Sequence, residues 1–185
     1  MSVNVSMRQL ESDSLIDDVR NALATHGLDP GSLVIEVTES ALMKDAKATV
    51  SRLHRLKELG VKIAVDDFGT GYSSLSYLRQ FPVDVLKIDR SFISSMDGSE
   101  DSLTLIRTMV ELGRALGLTT LAEGIEEEHQ LACLRANNCQ TGQGFMFSKP
   151  VEPGMVEALM AHTTKSVPES GPATPVVPTN WPARR

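Results

Sequence analysis

The stretch KIAVDDFGTGYSSL, Lys62–Leu75, contains the features that decide the fold of this chain. It begins with an apolar run that ends in two adjacent aspartates, Asp66 and Asp67, and it continues into a loop that contains Gly69 and Gly71. Unpaired carboxylates are costly in a buried strand, so these two require a partner of positive charge. The glycines allow the loop to turn tightly and to approach that partner. The stretch therefore predicts a buried strand that ends in a functional loop.

The same order of apolar run, loop and amphipathic helix repeats along the chain. The predicted strands are Ser2–Ser6, Leu33–Glu39, Lys62–Phe68, Val83–Asp89, Thr119–Ile125 and Gly142–Phe147. The predicted helices are Asp13–His26, Asp45–Leu59, Ser73–Gln80, Ser102–Leu116, Glu127–Asn138 and Pro153–His162. Strands that alternate with helices indicate a parallel sheet, and short regular units favour a barrel. The predicted fold class is α/β: a TIM-like (β/α) barrel, incomplete because about six β/α units are present where a closed barrel has eight.

The C-terminal segment has a different composition from the rest of the chain. Residues 163–185 are rich in proline, with serine, threonine and glycine between the prolines and no apolar periodicity. Such a segment cannot bury enough apolar surface to offset the entropy of an ordered chain. The sequence therefore predicts one domain over residues 1–162 and a disordered Pro-rich tail over residues 163–185.

Charge and composition exclude several kinds of partner. The formal net charge is −6, and lysine and arginine form no cluster, so a nucleic-acid polymer is not expected as a partner. The sequence contains no apolar run long enough to span a membrane. Its two cysteines, Cys133 and Cys139, suggest neither a disulfide framework nor a zinc site. Thiols that stay reduced are typical of cytoplasmic proteins, so the sequence predicts a cytoplasmic location.

Polar side chains recur within the predicted strands or at their C-terminal ends, where a barrel builds its active site. They are Asn4, Glu36, Asp66, Asp67, Lys87, Glu123 and Gln143. Carboxylates that converge with an amide, without thiolates or histidines, suit hard cations such as Mg²⁺ or Mn²⁺. Adjacent aspartates fit two cations that share a site, because strand alternation aims the two side chains differently. Two such metals can activate a water and stabilise both oxygens that exchange at a phosphodiester.

The motifs VNVS, EVTE, DDFGTGYSSL, LKIDRSF, AEGIE and GQGF–FSKP closely resemble those of the EAL-domain family of bacterial cyclic di-GMP phosphodiesterases. The resemblance extends from Ser2 to about Leu159, with the motifs in order. It implies a TIM-like barrel that hydrolyses cyclic di-GMP to linear pGpG with Mg²⁺ or Mn²⁺. It also implies a homodimer, because in this family the loop after the paired aspartates couples metal binding to dimerisation.

The resemblance assigns a role to each polar position of the strands. Asn4 and Glu36 resemble ligands of the first metal, Asp66 resembles the aspartate that bridges both metals, and Asp67 and Glu123 resemble ligands of the second metal. Five residues in all are therefore expected to bind the two ions.

The resemblance also assigns roles around the metals. Lys87 resembles the lysine that orients and helps to activate the attacking water, and Gln143 resembles a partner of that water. Glu123 and Glu126 resemble further acidic residues of the catalytic site. Glu39 resembles the glutamate that braces the DDFGTGYSSL loop.

Departures from the family pattern leave the activity open. The Glu-Ala-Leu segment that names the family, and an arginine that follows it, have no counterpart, so we expect an N-terminally truncated domain that lacks one metal ligand and two strands. A first alternative to the enzyme is therefore a non-catalytic module that binds cyclic di-GMP or regulates a partner. A second is a metal-dependent phosphatase with relaxed substrate choice. Phe145, Gln140 and Lys149 replace residues that are common in the family, and these changes are mild.

Overall fold

The computed structural model of the chain describes residues 1–71, 75–96 and 98–156. The strands within these ranges are β1 (Ser2–Asn4), β2 (Val34–Thr38), β3 (Lys62–Phe68), β4 (Val85–Ile88), β5 (Thr119–Ala122) and β6 (Thr141–Gly142). The α-helices are α1 (Met7–Leu10), α2 (Leu15–His26), α3 (Glu39–Met43), α4 (Ala46–Glu58), α5 (Leu75–Leu78), α6 (Arg90–Ser94), α7 (Glu100–Ala115) and α8 (Glu128–Ala136). A 3₁₀ turn, Pro30–Ser32, precedes β2.

The six strands form one parallel sheet in sequence order, from β1 to β6, and the sheet curls into a half-barrel. Each strand pairs in parallel with the next one along the chain. This arrangement confirms the predicted α/β class and the six β/α units. Because all strands run in the same direction, their C-terminal ends lie along one rim of the sheet.

Helices cover the outer side of the sheet and bury its apolar side chains. One cluster joins β2 and β3 to α2 and α4, and Val37, Leu53 and Val65 in it are completely buried. A second cluster joins β4 and β5 to α6, α7 and α8, and it contains Ile88 and Ile93. Burial of this kind contributes about 25 cal/mol per Å² of apolar surface, so the two clusters hold the strands in place.

Local signals set the bounds of the longer helices. The Asp45 side chain accepts a hydrogen bond from the N–H of Ala48 (3.2 Å) and begins α4. Gly27 ends α2 in the left-handed conformation, with φ 60°, which glycine adopts without steric cost. These observations agree with the predicted helices to within a few residues.

Several predicted bounds differ from the observed ones. The last strand, predicted over Gly142–Phe147, consists of Thr141–Gly142 alone, because the backbone beyond it turns back onto Ile125, where Met146 donates to the Ile125 carbonyl (3.0 Å). Short helices α1, α3 and α6 were not predicted, since each has five residues or fewer and shows little periodicity. The predicted helix Pro153–His162 is described only as far as residue 156, and the predicted tail, 163–185, lies outside the described residues.

Candidate active site

The predicted polar residues lie along the C-terminal rim of the sheet. Asn4, Glu36, Asp66, Asp67 and Lys87 lie in β1 to β4, and Glu123 and Gln143 directly follow β5 and β6. Asn4 is in register with Glu36 on the neighbouring strand. Residues from six strands thus reach one rim.

Lys87 is the centre of the site and contacts three carboxylates. Its Nζ lies 2.6 Å from Glu36 Oε2, 2.8 Å from Asp66 Oδ1 and 2.7 Å from Glu123 Oε1. The Lys87 side chain is 4% exposed and that of Glu36 is 8% exposed. Burial by itself lowers the pKa of Lys87, but its hydrogen bonds to Asp66, Glu123 and Glu36 outweigh burial and raise the pKa above the ordinary value. One fixed positive charge therefore faces three carboxylates.

A break in strand alternation brings the paired aspartates together. The pairing of β3 with β4 shifts register between Val65 and Phe68, and Asp67 adopts the left-handed backbone conformation with φ 54°. One oxygen from each of Asp66, Asp67 and Glu123 lies within 4.8 Å of the others. Alternation in a regular strand, the basis of our expectation from the sequence, would have sent the two aspartates to opposite faces. The bulge is the physical reason that they converge.

Burial, together with neighbouring negative charge, raises the pKa of two carboxyl groups in the cluster. Burial is the main cause that raises the pKa of Asp67, and the nearby charges of Asp66 and Asp89 raise it further. Burial also raises the pKa of Glu123, and this effect outweighs the opposing influence of Lys87. A carboxylate that is difficult to ionise beside other carboxylates gains most from an added cation.

Two predicted residues make contacts at the border of the cluster. Gln143 Nε2 donates to Glu123 Oε1 (2.7 Å), so the glutamine orients that carboxylate. Glu39, at the start of α3, is 3% exposed, and its Oε2 accepts from the N–H of Gly69 (3.0 Å). The described part of the loop is therefore tied to Glu39, while residues 72–74 of the loop lie outside the described residues.

Glu126 lies apart from the ion cluster and contacts Arg90. Its Oε1 is 2.8 Å from Arg90 Nη2, and both side chains are substantially exposed. The pair borders an open cleft of about 500 Å³ that is lined by Gln143, Phe145 and Lys149 among others. The sequence interpretation placed Glu126 in the site but did not identify Arg90.

Asp89 is a further residue that the sequence interpretation missed. Its carboxylate accepts from the N–H of Ser91 (2.9 Å) and caps α6, and its charge contributes to the raised pKa of Asp67. Both Asp89 and Arg90 stand in the motif LKIDRSF. One signal in the sequence could have identified them: they directly follow β4, at the same rim as the other strand ends.

The donor set fits a hard divalent cation. Asp66, Asp67 and Glu123 offer carboxylate oxygens at close range, and no cysteine or histidine belongs to this group among the described residues. Oxygen ligands of this kind suit Mg²⁺ and Mn²⁺. The residues present are thus compatible with the predicted metal ions.

A parallel half-barrel with a carboxylate-rich cluster at the C-terminal rim defines a TIM-barrel type of protein. The family model described as EAL domain matches residues 1–150. The chain belongs to the EAL domain family. Among the described residues, no helix is long and apolar enough to cross a membrane.

Individual relatives support the assignment to this family. The cyclic di-GMP phosphodiesterase NbdA of Pseudomonas aeruginosa is 44% identical over 160 residues, which make up 86% of this chain and 20% of that protein. The solved structure of the MucR phosphodiesterase in complex with c-di-GMP is 44% identical, with a TM-score of 0.80, over 84% of this chain and 63% of that one. The chain spans about a fifth of the length of the curated relatives it matches.

A third similarity concerns a metal-containing complex. The structure of Klebsiella pneumoniae BlrP1 with manganese and cyclic di-GMP is 30% identical, with a TM-score of 0.74, over 80% of this chain and 38% of that one. This chain therefore shares its fold with proteins whose structures were solved in complex with cyclic di-GMP.

Proposed function

We propose that this chain carries the site for metal-dependent hydrolysis of cyclic di-GMP to linear pGpG in bacterial second-messenger signalling. The observation that carries the proposal is the position of Lys87 within 2.6–2.8 Å of Glu36, Asp66 and Glu123, at the rim where barrel enzymes act. NbdA and MucR, by their names, act on this dinucleotide.

Two Mg²⁺ or Mn²⁺ ions complete the proposed site. Asn4, Glu36, Asp66, Asp67 and Glu123 would hold them, with Asp66 shared between both. When bound, the ions polarise the phosphodiester and lower the pKa of the attacking water. The support for this metal pair is the chemistry of the oxygen donors and the manganese complex of the BlrP1 relative.

The other roles in the proposed hydrolysis belong to side chains of the protein. The Lys87 ammonium supplies a fixed positive charge beside the position where negative charge develops on the phosphate oxygens. To orient the attacking water as well, one of its three N–H donors, which now bond to Glu36, Asp66 and Glu123, would turn from its carboxylate to the water. Gln143 holds Glu123 at 2.7 Å and orients the same water. Glu126 and Arg90 border the cleft next to Gln143, where they contact the remainder of the nucleotide.

The decisive experiment is turnover by the purified 185-residue chain. Cyclic di-GMP is incubated with the chain and Mn²⁺, and the formation of pGpG is followed by chromatography, with chelator as the negative control. We expect pGpG only when Mn²⁺ is present. Absence of product at high protein concentration, while circular dichroism shows a folded chain, contradicts the proposed hydrolysis.

Calorimetry with cyclic di-GMP, combined with product assays, separates the enzyme from the two alternatives, a non-catalytic module and a phosphatase with relaxed substrate choice. Binding without product supports a non-catalytic module that binds the dinucleotide. Hydrolysis of a generic aryl phosphodiester with no preference for cyclic di-GMP supports a phosphatase with relaxed substrate choice. We expect neither result.

A homodimer is part of the same proposal. Its basis is the family resemblance, in which the loop after the aspartates couples metal binding to dimerisation; in this chain the N–H of Gly69 donates to Glu39 and ties that loop to α3. Sedimentation velocity with Mn²⁺ and with chelator tests it: we expect a dimer in Mn²⁺, and a monomer at every concentration contradicts the proposal. A cytoplasmic location stays a prediction.

A further inference from the structure

Gln130 is a buried polar residue near the start of α8, and it lies outside the ion cluster. It is 5% exposed. Its amide oxygen accepts from the N–H of Glu126 (2.9 Å) and of Glu127 (3.1 Å), while its amide nitrogen donates to the carbonyl of Ile93 (3.2 Å). Backbone N–H groups only donate and carbonyls only accept, so these three partners fix the orientation of the amide.

Helix capping explains one of these three hydrogen bonds. Gln130 occupies the third position of α8, and acceptance from the N–H of Glu127 is one half of a capping box. Glu126 precedes the cap, and Ile93 belongs to α6, 37 residues earlier in the chain. Gln130 therefore connects the loop after β5 to a different helix.

The loop after β5 carries residues of the proposed site. Glu123 begins it and contacts Lys87, and the N–H of Ile125 donates to the carbonyl of Gln143 (3.0 Å). A Cβ atom on Gly124 would lie 2.3 Å from Arg90 Cγ. The loop is thus packed directly against the side chain of the first residue of α6.

Gln130 links both sides of the contact between Glu126 and Arg90. Glu126 lies on the loop, and its backbone N–H is held by Gln130. Arg90 lies at the start of α6, and the carbonyl of Ile93 in the same helix is held by the other end of the same amide. The Gln130 side chain therefore bridges the loop and α6.

We propose that Gln130 is a positioning residue for the hydrolysis: it fixes Glu126, and with it the loop that carries Glu123, against α6 and Arg90. The inference rests on the proposed function, because the positions that it sets matter only if this rim performs the reaction. Small displacements of catalytic groups reduce turnover strongly, so the effect of losing Gln130 is expected in the rate rather than in binding.

The test compares Gln130→Met with a matched control, Gln140→Met. Methionine is unbranched and fills the space of glutamine without its hydrogen bonds. Gln140 is suitable as the control because its amide oxygen accepts from the N–H of Thr120 (2.8 Å) near the start of β5, at the opposite end of that strand from Glu123. Gln140→Met loses the bonds to the N–H and hydroxyl of Thr120, and Gln130→Met loses the three bonds described above. Only the loss at Gln130 adjoins the site.

Hydrogen exchange of the Ile125 amide provides the first readout. This N–H donates to Gln143 rather than to Gln130, so it reports the order of the loop and not the deleted contact itself. We expect its exchange to accelerate about tenfold in Gln130→Met, the scale of one lost hydrogen bond, and to stay near the wild-type rate in Gln140→Met. Unchanged protection of Ile125 in Gln130→Met overturns the inference.

Steady-state kinetics with cyclic di-GMP and Mn²⁺ provide the second readout. We expect kcat of Gln130→Met to fall about tenfold while KM stays within about threefold of wild type, and Gln140→Met to retain its kcat. Equal losses in both variants, or an unchanged kcat in Gln130→Met, overturn the inference. If the wild-type chain forms no pGpG, the proposed function fails and Ile125 exchange alone decides whether Gln130 orders the loop.

Discussion

Two lysines, one at each end of the sheet, form ion pairs of very different composition. Near the N-terminal ends of the strands, Lys57 Nζ contacts both carboxylate oxygens of Asp84, at 2.7 and 2.8 Å, and both side chains are about one-third exposed. Asp84 Oδ2 also accepts from the N–H of Ile63 (2.8 Å). At the other end, the buried Lys87 contacts three carboxylates.

The difference separates an ion pair that joins elements of the fold from the cluster that we propose as the active site. The Lys57 pair is neutral and accessible to solvent, so it joins α4 to β3 and β4 at little cost in desolvation. The Lys87 cluster is buried and has an excess of negative charge, which folding alone does not favour. The buried negative charge in excess of its local partners supports the proposal that the site binds cations.

The largest expected effect follows from Asp66→Asn. The change removes one charge but little volume, so Mn²⁺-dependent hydrolysis of cyclic di-GMP should fall at least about 100-fold, the scale seen when one preorganised electrostatic group is lost. The free energy of unfolding should change by no more than about 1 kcal/mol, because Lys87 keeps two other carboxylates. Turnover assays and urea denaturation measure the two quantities. Activity close to that of wild type contradicts the role of Asp66 as a bridge between metals.

The next effect concerns stability and uses Lys87→Met. The change leaves Glu36, Asp66 and Glu123 buried without their counter-charge, so the free energy of unfolding should fall by about 3–5 kcal/mol in the presence of chelator. Urea denaturation at pH 7 measures it. Addition of Mn²⁺ should recover part of the loss, because a cation bound to the folded state stabilises it. If the free energy of unfolding falls no more than it does in Lys57→Met, the ion pairs at the two ends of the sheet do not differ as argued.

A pH series on the chain with chelator present tests the raised pKa of Glu123 in the cluster. Burial raises the pKa of Glu123 above its ordinary value of 4.5, so between these two values the folded state binds more protons than the unfolded state. The stabilising contribution of the protonated group is present below pH 4.5 and is lost as the pH rises through the higher folded value. Glu123→Gln should therefore remove part of the decline in stability above pH 4.5. Urea denaturation across pH 4 to 8 checks this, and identical pH profiles contradict it.

The smallest expected effect is that of Lys57→Met. Because the Lys57 and Asp84 side chains are about one-third exposed, solvent screens their attraction, and the free energy of unfolding should fall by about 1 kcal/mol or less. Added salt should reduce the difference between the variant and wild type. A loss of several kcal/mol would mean that the pair of Lys57 with Asp84 is also effectively buried. The rate of cyclic di-GMP hydrolysis should not change.

Sequence reasoning reached the fold and the polar rim because both depend on patterns along the chain. Alternating strands and helices predict parallel order, and a charged residue inside an apolar strand, such as Glu36 or Lys87, stands out. The bulge at Asp67 could not be predicted, because its left-handed backbone depends on pairing with β4 and on the loop that follows. Strand alternation predicts only that the two aspartates point in different directions; that one oxygen of each lies within 4.8 Å of the other follows from the bulge.

Contacts between elements that lie far apart in the chain could not be predicted from the sequence either. The pair of Arg90 with Glu126 depends on how α6 packs beside the loop after β5, and no local period encodes it. Gln130 carried a partial signal, since a glutamine in the third position of a helix is typical of a capping box. Its bond to Ile93 required the three-dimensional structure.

The contact between Lys87 and Glu36 joins residues 51 positions apart in the chain, and this separation has a consequence for folding. Strands β2, β3, β4 and β5 must all have docked before the four charged groups can meet, so no early, partly folded state can assemble the ligand set. A divalent cation held by the proposed ligands would therefore bind only after the sheet has formed and would selectively stabilise fully folded molecules. At 100 times its dissociation constant, such an ion would add about 2.7 kcal/mol to the free energy of unfolding.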